Sequence, residues 1–170
     1  MPLKILVVDD HDVVRQGVRL ILRRNPDWQV CGEAENGVEA LQRSKELNPD
    51  LIILDVSMPG KDGLEVATEL HATGSSAKVL VLTMHESKEL AAAVKRVGAR
   101  GYVIKSHAAR DLMNAIQTIV DGGDFFTHDQ TPPLPAKREE KPGEKGEVKP
   151  EEKNRSPLSR IGLCLAFAPI

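Results

Sequence analysis

The sequence predicts an α/β domain built on a doubly wound parallel sheet of five strands. Five short apolar runs alternate with helical patterns over the first 128 residues. Runs of four to seven residues, rich in branched side chains and followed by turn-forming or acidic residues, are typical of buried parallel strands. Strict alternation of strands and helices implies right-handed crossovers, which place helices on both faces of the sheet.

Each element has its own pattern. The predicted strands are Leu3–Val8, Trp28–Ala34, Leu51–Leu54, Val79–Thr83 and Gly101–Ile104. Between them, apolar residues recur with helical spacing, first at Val14, Val18, Ile21 and Leu22, then over 37–48, 64–73, 90–97 and 112–119. Asp12, just before Val13, is interpreted as the cap of the first helix.

The composition changes sharply after residue 128. Residues 129–160 contain six prolines among interleaved lysine and glutamate, which predicts a disordered, semi-extended segment. The last ten residues, IGLCLAFAPI, are apolar but too few to cross a bilayer or form a core. We interpret them as an unstructured end, with a short docking peptide as the alternative. We therefore expect a domain over 1–128 and a tail over 129–170.

Bulk properties restrict the function. The net charge of −2 and the pI near 6.2 offer no electrostatic support for binding nucleic acid. The two cysteines, Cys31 and Cys164, are expected to be reduced thiols. No apolar stretch approaches the roughly 18 residues of a spanning helix, and the amino terminus does not resemble a signal peptide. A cytoplasmic protein without membrane contact is expected.

Polar residues follow four of the predicted strands. Asp9 and Asp10 end the first strand, Asp55 the third, Thr83 the fourth and Lys105 the fifth. The carboxyl ends of parallel strands meet at one edge of the sheet, where ligands bind in such folds. Three carboxylates crowded there repel one another, so cations must lie among them. Lys105 supplies one charge, and Mg²⁺, which prefers oxygen ligands, is expected to supply the rest.

Such a site suits phosphoryl transfer. Asp55 can act as the nucleophile that accepts a phosphoryl group while Mg²⁺ and Lys105 neutralise its oxygens. Thr83 can then donate its hydroxyl to the modified residue, a hydrogen bond that exists only after modification. Taken singly, these residues are ordinary caps, turn residues or surface residues. Their joint placement at one edge favours the functional interpretation.

Three other interpretations stay open. The segment Asp10-His11-Asp12 fits the Asp-x-Asp pattern of haloacid-dehalogenase-like phosphatases, with Asp10 as nucleophile. A module that binds partners without phosphate is the second alternative. The third is a transition-metal site formed by His11, His85 and His107, although polar loop residues are the simpler interpretation of these histidines.

The segments VVDDH, LDVSMPGKDG, VLTMH and GYVIK resemble the CheY-like receiver domain of two-component response regulators in order and spacing. The resemblance implies a flavodoxin-like fold with strand order 2-1-3-4-5 and makes Asp55 the phosphoacceptor for a histidine kinase. It also implies that Asp10, Asp55 and the backbone carbonyl of Ser57 bind Mg²⁺, with Asp9 acting through water. By the same resemblance, Thr83 and Lys105 contact the phosphoryl group, and Tyr102 changes rotamer with Thr83. A partly exposed Tyr102 hydroxyl is the structural alternative.

The segments LTMHES and ARGYVIK are most similar to receivers of LuxR/NarL-type regulators. Those relatives continue into a helix-turn-helix domain, whereas here the Pro/Lys/Glu segment follows, so direct DNA binding is not expected. The expected protein is a stand-alone or truncated regulator that catalyses only its own phosphotransfer and dephosphorylation. It would act on an unknown downstream protein, with a possible phosphorylation-dependent homodimer through the fourth helix, fifth strand and fifth helix.

Two departures from the family pattern have consequences. Ser106 follows Lys105 where the family usually has proline, which leaves the geometry of that loop open. Met84 follows Thr83 where many relatives carry alanine or serine. A bulky side chain there would narrow access to the acyl phosphate, which predicts slow autodephosphorylation.

Overall fold

The computed structural model describes residues 1–85 and 87–126. The predicted boundary at residue 128, the 129–170 tail and its apolar end therefore lie outside the described residues. The described elements are β1 (Leu3–Val8), α1 (Asp12–Leu22), β2 (Trp28–Ala34), α2 (Gly37–Leu47), β3 (Leu51–Asp55), α3 (Gly63–Ala72), β4 (Lys78–Thr83), α4 (Lys88–Arg96), β5 (Gly101–Ile104), a 3-10 turn (Lys105–His107), α5 (Ala108–Val120) and β6 (Phe125–Phe126).

Within the described residues, the strands form one parallel sheet in the order β2-β1-β3-β4-β5-β6. The predicted order 2-1-3-4-5 is confirmed, but the predicted number of five strands is wrong. The sixth strand, Phe125–Phe126, pairs in parallel with Gly101 and Tyr102 of β5. Two residues are too few for a periodic pattern, so the pairing is set by packing against β5 and not by a strand signal in the sequence.

The sheet separates two layers of apolar packing. In β1, Ile5 and Val7 face a layer closed by α1 and α5, while Leu6 and Val8 face one closed by α2, α3 and α4. All five residues of β3 are buried, because helices cover both faces of this central strand. The continuous apolar runs in the sequence follow from this two-sided burial.

Side chains cap three of the helices. Asn36 accepts the Glu39 amide at the start of α2, and Ser87 accepts the Leu90 amide at the start of α4. The start of α3 has a capping box, in which Asp62 and Glu65 each accept the backbone amide of the other. Because each cap fixes where its helix begins, it also fixes the length of the loop between that helix and the strand before it in the chain.

The predicted role of Asp12 as the cap of α1 is wrong. His11 is the N-cap and makes no side-chain cap hydrogen bond, while Asp12 is the first helical residue. The Asp12 carboxylate instead accepts from Gln16 at 2.6 Å and from Arg15 at 3.3 Å. The charged and amide donors one turn along the helix hold the carboxylate away from the free backbone amides.

No helix in the described part of the chain is long and apolar enough to cross a membrane.

Candidate functional site

The strand order brings acidic side chains from β1 and β3 together. These strands are neighbours, with Val8 opposite Leu54, so Asp9 and Asp55 leave the sheet side by side at its carboxyl edge. Both side chains are buried, whereas Asp10 is 26% exposed. β4 lies on the other side of β3 and ends at Thr83. β5 follows, and Lys105 comes directly after it.

Lys105 bridges the two buried carboxylates. Its Nζ lies 2.7 Å from Asp9 Oδ2 and 2.8 Å from Asp55 Oδ2, and its side chain is 10% exposed. Burial lowers the pKa of Lys105, but the hydrogen bonds and charges of Asp55 and Asp9 outweigh it and leave the pKa above the ordinary lysine value. The ammonium therefore stays charged at neutral pH.

The backbone after Asp55 is tightly held. The Ser57 amide donates to Asp55 Oδ1 at 3.2 Å, and the Val56 amide donates to the Leu82 carbonyl of β4 at 3.1 Å. The Gly63 amide donates back to the Val56 carbonyl at 3.0 Å, which ties the start of α3 to the end of β3. A Cβ on Gly63 would lie 2.0 Å from the Asp55 carbonyl oxygen. Glycine is required by this close approach.

His11 contacts the acidic pair on β1. Its amide donates to Asp9 Oδ1 at 2.9 Å, and its Nδ1 lies 2.8 Å from Asp10 Oδ1 and 3.3 Å from Asp9 Oδ1. Potential ligand atoms of Asp9, Asp10, His11 and Asp55 all lie within 4.8 Å of one another. In residues 1–85 and 87–126, neither His85 nor His107 belongs to such a group, so the three-histidine metal site is not formed there.

The donor set fits a hard divalent cation. Asp9 Oδ2 and Asp55 Oδ2 share one partner, the Lys105 ammonium, and the buried Asp10 Oδ1 lies 2.8 Å from His11 Nδ1 without a hydrogen bond. Buried charge of this kind is costly unless it is compensated. Three carboxylates also outnumber the one lysine. Mg²⁺ prefers a few carboxylate oxygens together with water, and these residues supply such oxygens.

Thr83 lies at the same edge but is engaged elsewhere. The residue is 6% exposed, and its Oγ1 donates to the His85 carbonyl at 2.9 Å. Tyr102 is fully buried, so the structural alternative to its predicted switch role, a partly exposed hydroxyl, is wrong. Its ring meets Phe126 of β6 edge to face, with the centroids 5.9 Å apart. The sixth strand therefore closes over Tyr102.

The sequence analysis does not single out Arg15, which donates to the backbone carbonyl of Asp9 at 2.8 Å. Its side chain is 7% exposed and also contacts Glu33 and Glu35 at the end of β2. The signal available in the sequence is a basic residue beside the apolar stripe of α1, together with two acids at the end of the next strand. Nothing local distinguishes that pattern from a solvated surface pair.

The chain matches the model of the response regulator receiver domain over residues 5–117. It is 33% identical over 124 residues to the transcriptional regulatory protein DegU of Brevibacillus brevis, covering 73% of this chain and 52% of the relative. It is 35% identical over 135 residues to the nitrate/nitrite response regulator protein NarL of Escherichia coli K12, covering 79% and 62%. The chain thus spans about half to three fifths of the length of these curated relatives.

Solved structures show the same similarity. A two-component response regulator of the LuxR family from Aurantimonas sp. SI85-9A1 superposes with a TM-score of 0.70 at 34% identity, covering 73% of this chain and 89% of that one. The signal receiver domain of the putative response regulator NarL from Mycobacterium tuberculosis superposes with a TM-score of 0.68 at 30% identity, covering 71% and 98%. Sequence, fold and acidic site agree: this chain belongs to the receiver domain family of two-component response regulators.

Proposed function

We propose that Asp55 accepts a phosphoryl group from the phosphohistidine of a histidine kinase. The observation that carries the proposal is the meeting of three carboxylates from β1 and β3 with a charged lysine from the turn after β5. A buried carboxylate held beside a fixed cation is prepared for nucleophilic attack on phosphorus, because positioning and charge neutralisation supply most of the catalysis in phosphoryl transfer.

In the proposed step, a carboxylate oxygen of Asp55 attacks phosphorus and forms a P–O bond while the P–N bond of the phosphohistidine breaks. The electron pair leaves with the imidazole nitrogen, which takes up a proton. The reverse switch is hydrolysis: water attacks phosphorus, the acyl phosphate P–O bond breaks, and Asp55 and inorganic phosphate are released. Lys105 stands beside Asp55 throughout and can pair with the phosphoryl oxygens.

The same site would hold Mg²⁺ through Asp9, Asp10, Asp55 and the backbone carbonyl of Ser57. When bound, the cation neutralises charge on the transferring phosphoryl oxygens. Asp9 is kept in place by Lys105 on one carboxylate oxygen and by the His11 amide on the other. The protein thus fixes its acidic ligands before any cation binds.

Thr83 and Tyr102 would transmit the modification. In the unmodified protein the Thr83 hydroxyl is used by the His85 carbonyl, so turning to the phosphoryl group exchanges one hydrogen bond for a charge-assisted one. Such bonds contribute about 1.5–3 kcal/mol, whereas reversing a 1:99 equilibrium requires about 5.5 kcal/mol. We therefore propose that Lys105, Mg²⁺ and a partner contribute the rest, the partner being a second copy bound through α4, β5 and α5, or an unidentified downstream protein.

The deciding experiment is an intact-mass measurement after incubation with acetyl phosphate and Mg²⁺. The wild type is expected to gain about 80 Da, the mass of one phosphoryl group replacing a proton. Asp55→Asn is the matched control and is expected to gain nothing. No adduct on the wild type with acetyl phosphate or phosphoramidate would contradict the proposal.

The experiment also tests the phosphatase alternative. If Asp10 were the nucleophile, the adduct would persist in Asp55→Asn and disappear in Asp10→Asn. The geometry weighs against that outcome, because Asp12, the second acid of the Asp-x-Asp pattern, lies in the first turn of α1 and is bound to Arg15 and Gln16. The family is one of signalling proteins.

DegU is named as a transcriptional regulatory protein, but this chain covers only 52% of its length. The activity of the uncovered part is therefore not assigned to this chain. We propose that the receiver residues themselves do not contact DNA, since the chain has a net charge of −2. An electrophoretic mobility assay with mixed DNA fragments at low salt is expected to show no shift.

A further inference from the structure

Arg15 is a buried cation that links α1 to the ends of β1 and β2. Its Nη1 donates to the Asp9 carbonyl at 2.8 Å, its Nε to Glu33 at 3.1 Å and its Nη2 to Glu35 at 2.8 Å, with Asp12 at 3.3 Å from Nη2. All three guanidinium nitrogens thus have acceptors. The planar fork can serve several acceptors in different directions at once, which the single ammonium of a lysine cannot do.

Asp9 is held from two opposite sides. Its backbone amide donates to the Ala34 carbonyl of β2 at 3.1 Å, and its carbonyl accepts from Arg15. Its side chain points to the acidic site, where one oxygen contacts Lys105 and the other accepts the His11 amide. The position of the carboxylate follows from the backbone dihedral angles of Asp9. The hydrogen bond to its carbonyl therefore helps to fix where the carboxylate stands.

Removing the guanidinium would leave the buried Asp9 carbonyl without its charged donor and Glu35 without its cation, whereas Glu33 would keep Arg19. Neighbouring Arg19 offers a natural comparison, because its Nη1 lies 3.0 Å from the same Glu33. Arg19 contacts Glu33 and not Asp9 among the described residues. The two arginines share a helix and an acidic partner, but only Arg15 reaches the backbone of the acidic site.

We propose that Arg15 is a positioning residue for the divalent-cation site, acting through the carbonyl of Asp9. The inference rests on the proposed function, since it assumes that Asp9 serves a cation. Residues that hydrogen-bond to metal ligands commonly set the orientation of those ligands, and their loss typically lowers metal affinity by about 10- to 100-fold. Arg15 supports Asp9 in a similar way, although it binds the backbone carbonyl of Asp9 and not its carboxylate.

The test compares Arg15→Gln with Arg19→Gln in the full chain. Mn²⁺ is the probe, because the free ion is counted directly by electron paramagnetic resonance. Arg15→Gln is expected to bind Mn²⁺ at least about tenfold more weakly than the wild type, and Arg19→Gln within about twofold. In the metal-free protein, the His11 amide, which donates to Asp9 Oδ1, is expected to exchange with solvent faster in Arg15→Gln only.

Equal Mn²⁺ affinity in the two variants would overturn the proposal, as would unchanged His11 exchange in Arg15→Gln. Should Arg15→Gln fail to fold, Arg15→Lys takes its place, with an expected loss of about threefold or more that Arg19→Lys does not share. The proposed function fails separately, through the absence of a phosphoryl adduct on the wild type. A wild type that is phosphorylated while both variants bind Mn²⁺ equally well would reject the role of Arg15 alone.

Discussion

Lys105 is the residue on which the electrostatics of the acidic site depend, because it is the cation that contacts both buried carboxylates. Replacing it with methionine removes the cation between the buried carboxylates of Asp9 and Asp55. Breaking a buried pair in this way typically costs about 3–5 kcal/mol, so we expect Lys105→Met to lower the free energy of unfolding by about that amount without divalent ions. Urea denaturation measures it. Lys45→Met, at an exposed position, is the control and is expected to change little.

The pH dependence of this effect has a definite sign. The folded-state pKa of Lys105 is raised above the ordinary value of 10.5, so its stabilising effect is fully present below that value. The effect is lost as the pH rises through the raised folded-state pKa. We expect the difference between the wild type and Lys105→Met to stay constant from neutral pH to about pH 9.5 and to shrink only in stronger alkali. A difference that shrinks below pH 9 would contradict this assignment.

Met84 provides a second test at the level of a single residue. It follows Thr83 directly and is 59% exposed, so its side chain is not part of the core. Met84→Ala is expected to speed hydrolysis of the acyl phosphate about threefold, a barrier change of under about 1 kcal/mol. Decay of the intact-mass adduct measures it. Val38→Ala, an exposed apolar position on α2, should decay like the wild type.

The meeting of Asp9, Asp55 and Lys105 was predictable from the sequence, because each follows a strand and parallel strands end at one edge. The partners of Thr83 and Arg15 were not. Thr83 donates to the His85 carbonyl, and Arg15 to the Asp9 carbonyl. Both acceptors are backbone atoms, which every residue carries, so residue identity offers no signal for these contacts. They depend on the path of the loops and on helix packing.

Among the elements, the connection from β3 to α3 constrains the site most directly. A Cβ on Gly63 would lie 2.0 Å from the Asp55 carbonyl oxygen, so Gly63→Ala requires β3 or α3 to shift. We expect it to destabilise the protein by about 1–3 kcal/mol and to slow phosphorylation of Asp55 by acetyl phosphate.

Gly17→Ala is the matched control for this substitution. A Cβ on Gly17 in α1 would meet nothing within 4 Å. Because alanine favours helix over glycine, the control should stabilise the protein by up to about 1 kcal/mol and leave phosphorylation unchanged. Equal phosphorylation rates in Gly63→Ala and Gly17→Ala would contradict the importance of this contact.

Local sequence patterns predict the limits of several strands correctly but miss the sixth strand. The predicted limits of β1, β2 and β5 are confirmed, because a charged residue directly follows each run: Asp9, Glu35 and Lys105. β6 is missed because its formation depends on tertiary contacts. The Phe125 amide donates to the backbone carbonyl of Arg100, and the Phe126 ring packs against Tyr102 and lies under the Lys95 ammonium. Two adjacent phenylalanines carry no period from which either contact could be read.

At the scale of the whole molecule, cation binding and folding are expected to be coupled. A ligand that binds only the native state stabilises it by about 2.7 kcal/mol at a concentration 100 times its dissociation constant. We therefore expect saturating Mg²⁺ to raise the unfolding free energy of the wild type by that order, and chelation to reverse the gain. Asp10→Asn should lose most of this Mg²⁺-dependent gain in unfolding free energy. Asp27→Asn, an exposed acid away from the site, should keep it, and equal gains in both variants would place the cation elsewhere.

Phosphorylation is also expected to change the association state, since the free energy from Thr83 alone falls short of that needed for a complete switch. If a second copy supplies the remainder through α4, β5 and α5, the phosphorylated protein dimerises and Asp55→Asn stays monomeric. Sedimentation velocity with and without acetyl phosphate measures this. Reversing the charge of exposed Lys88 on α4 should weaken the dimer, whereas Arg24→Glu, just beyond α1, should not. A phosphorylated protein that stays monomeric at high concentration would exclude the second copy and leave a different protein as the partner that completes the switch.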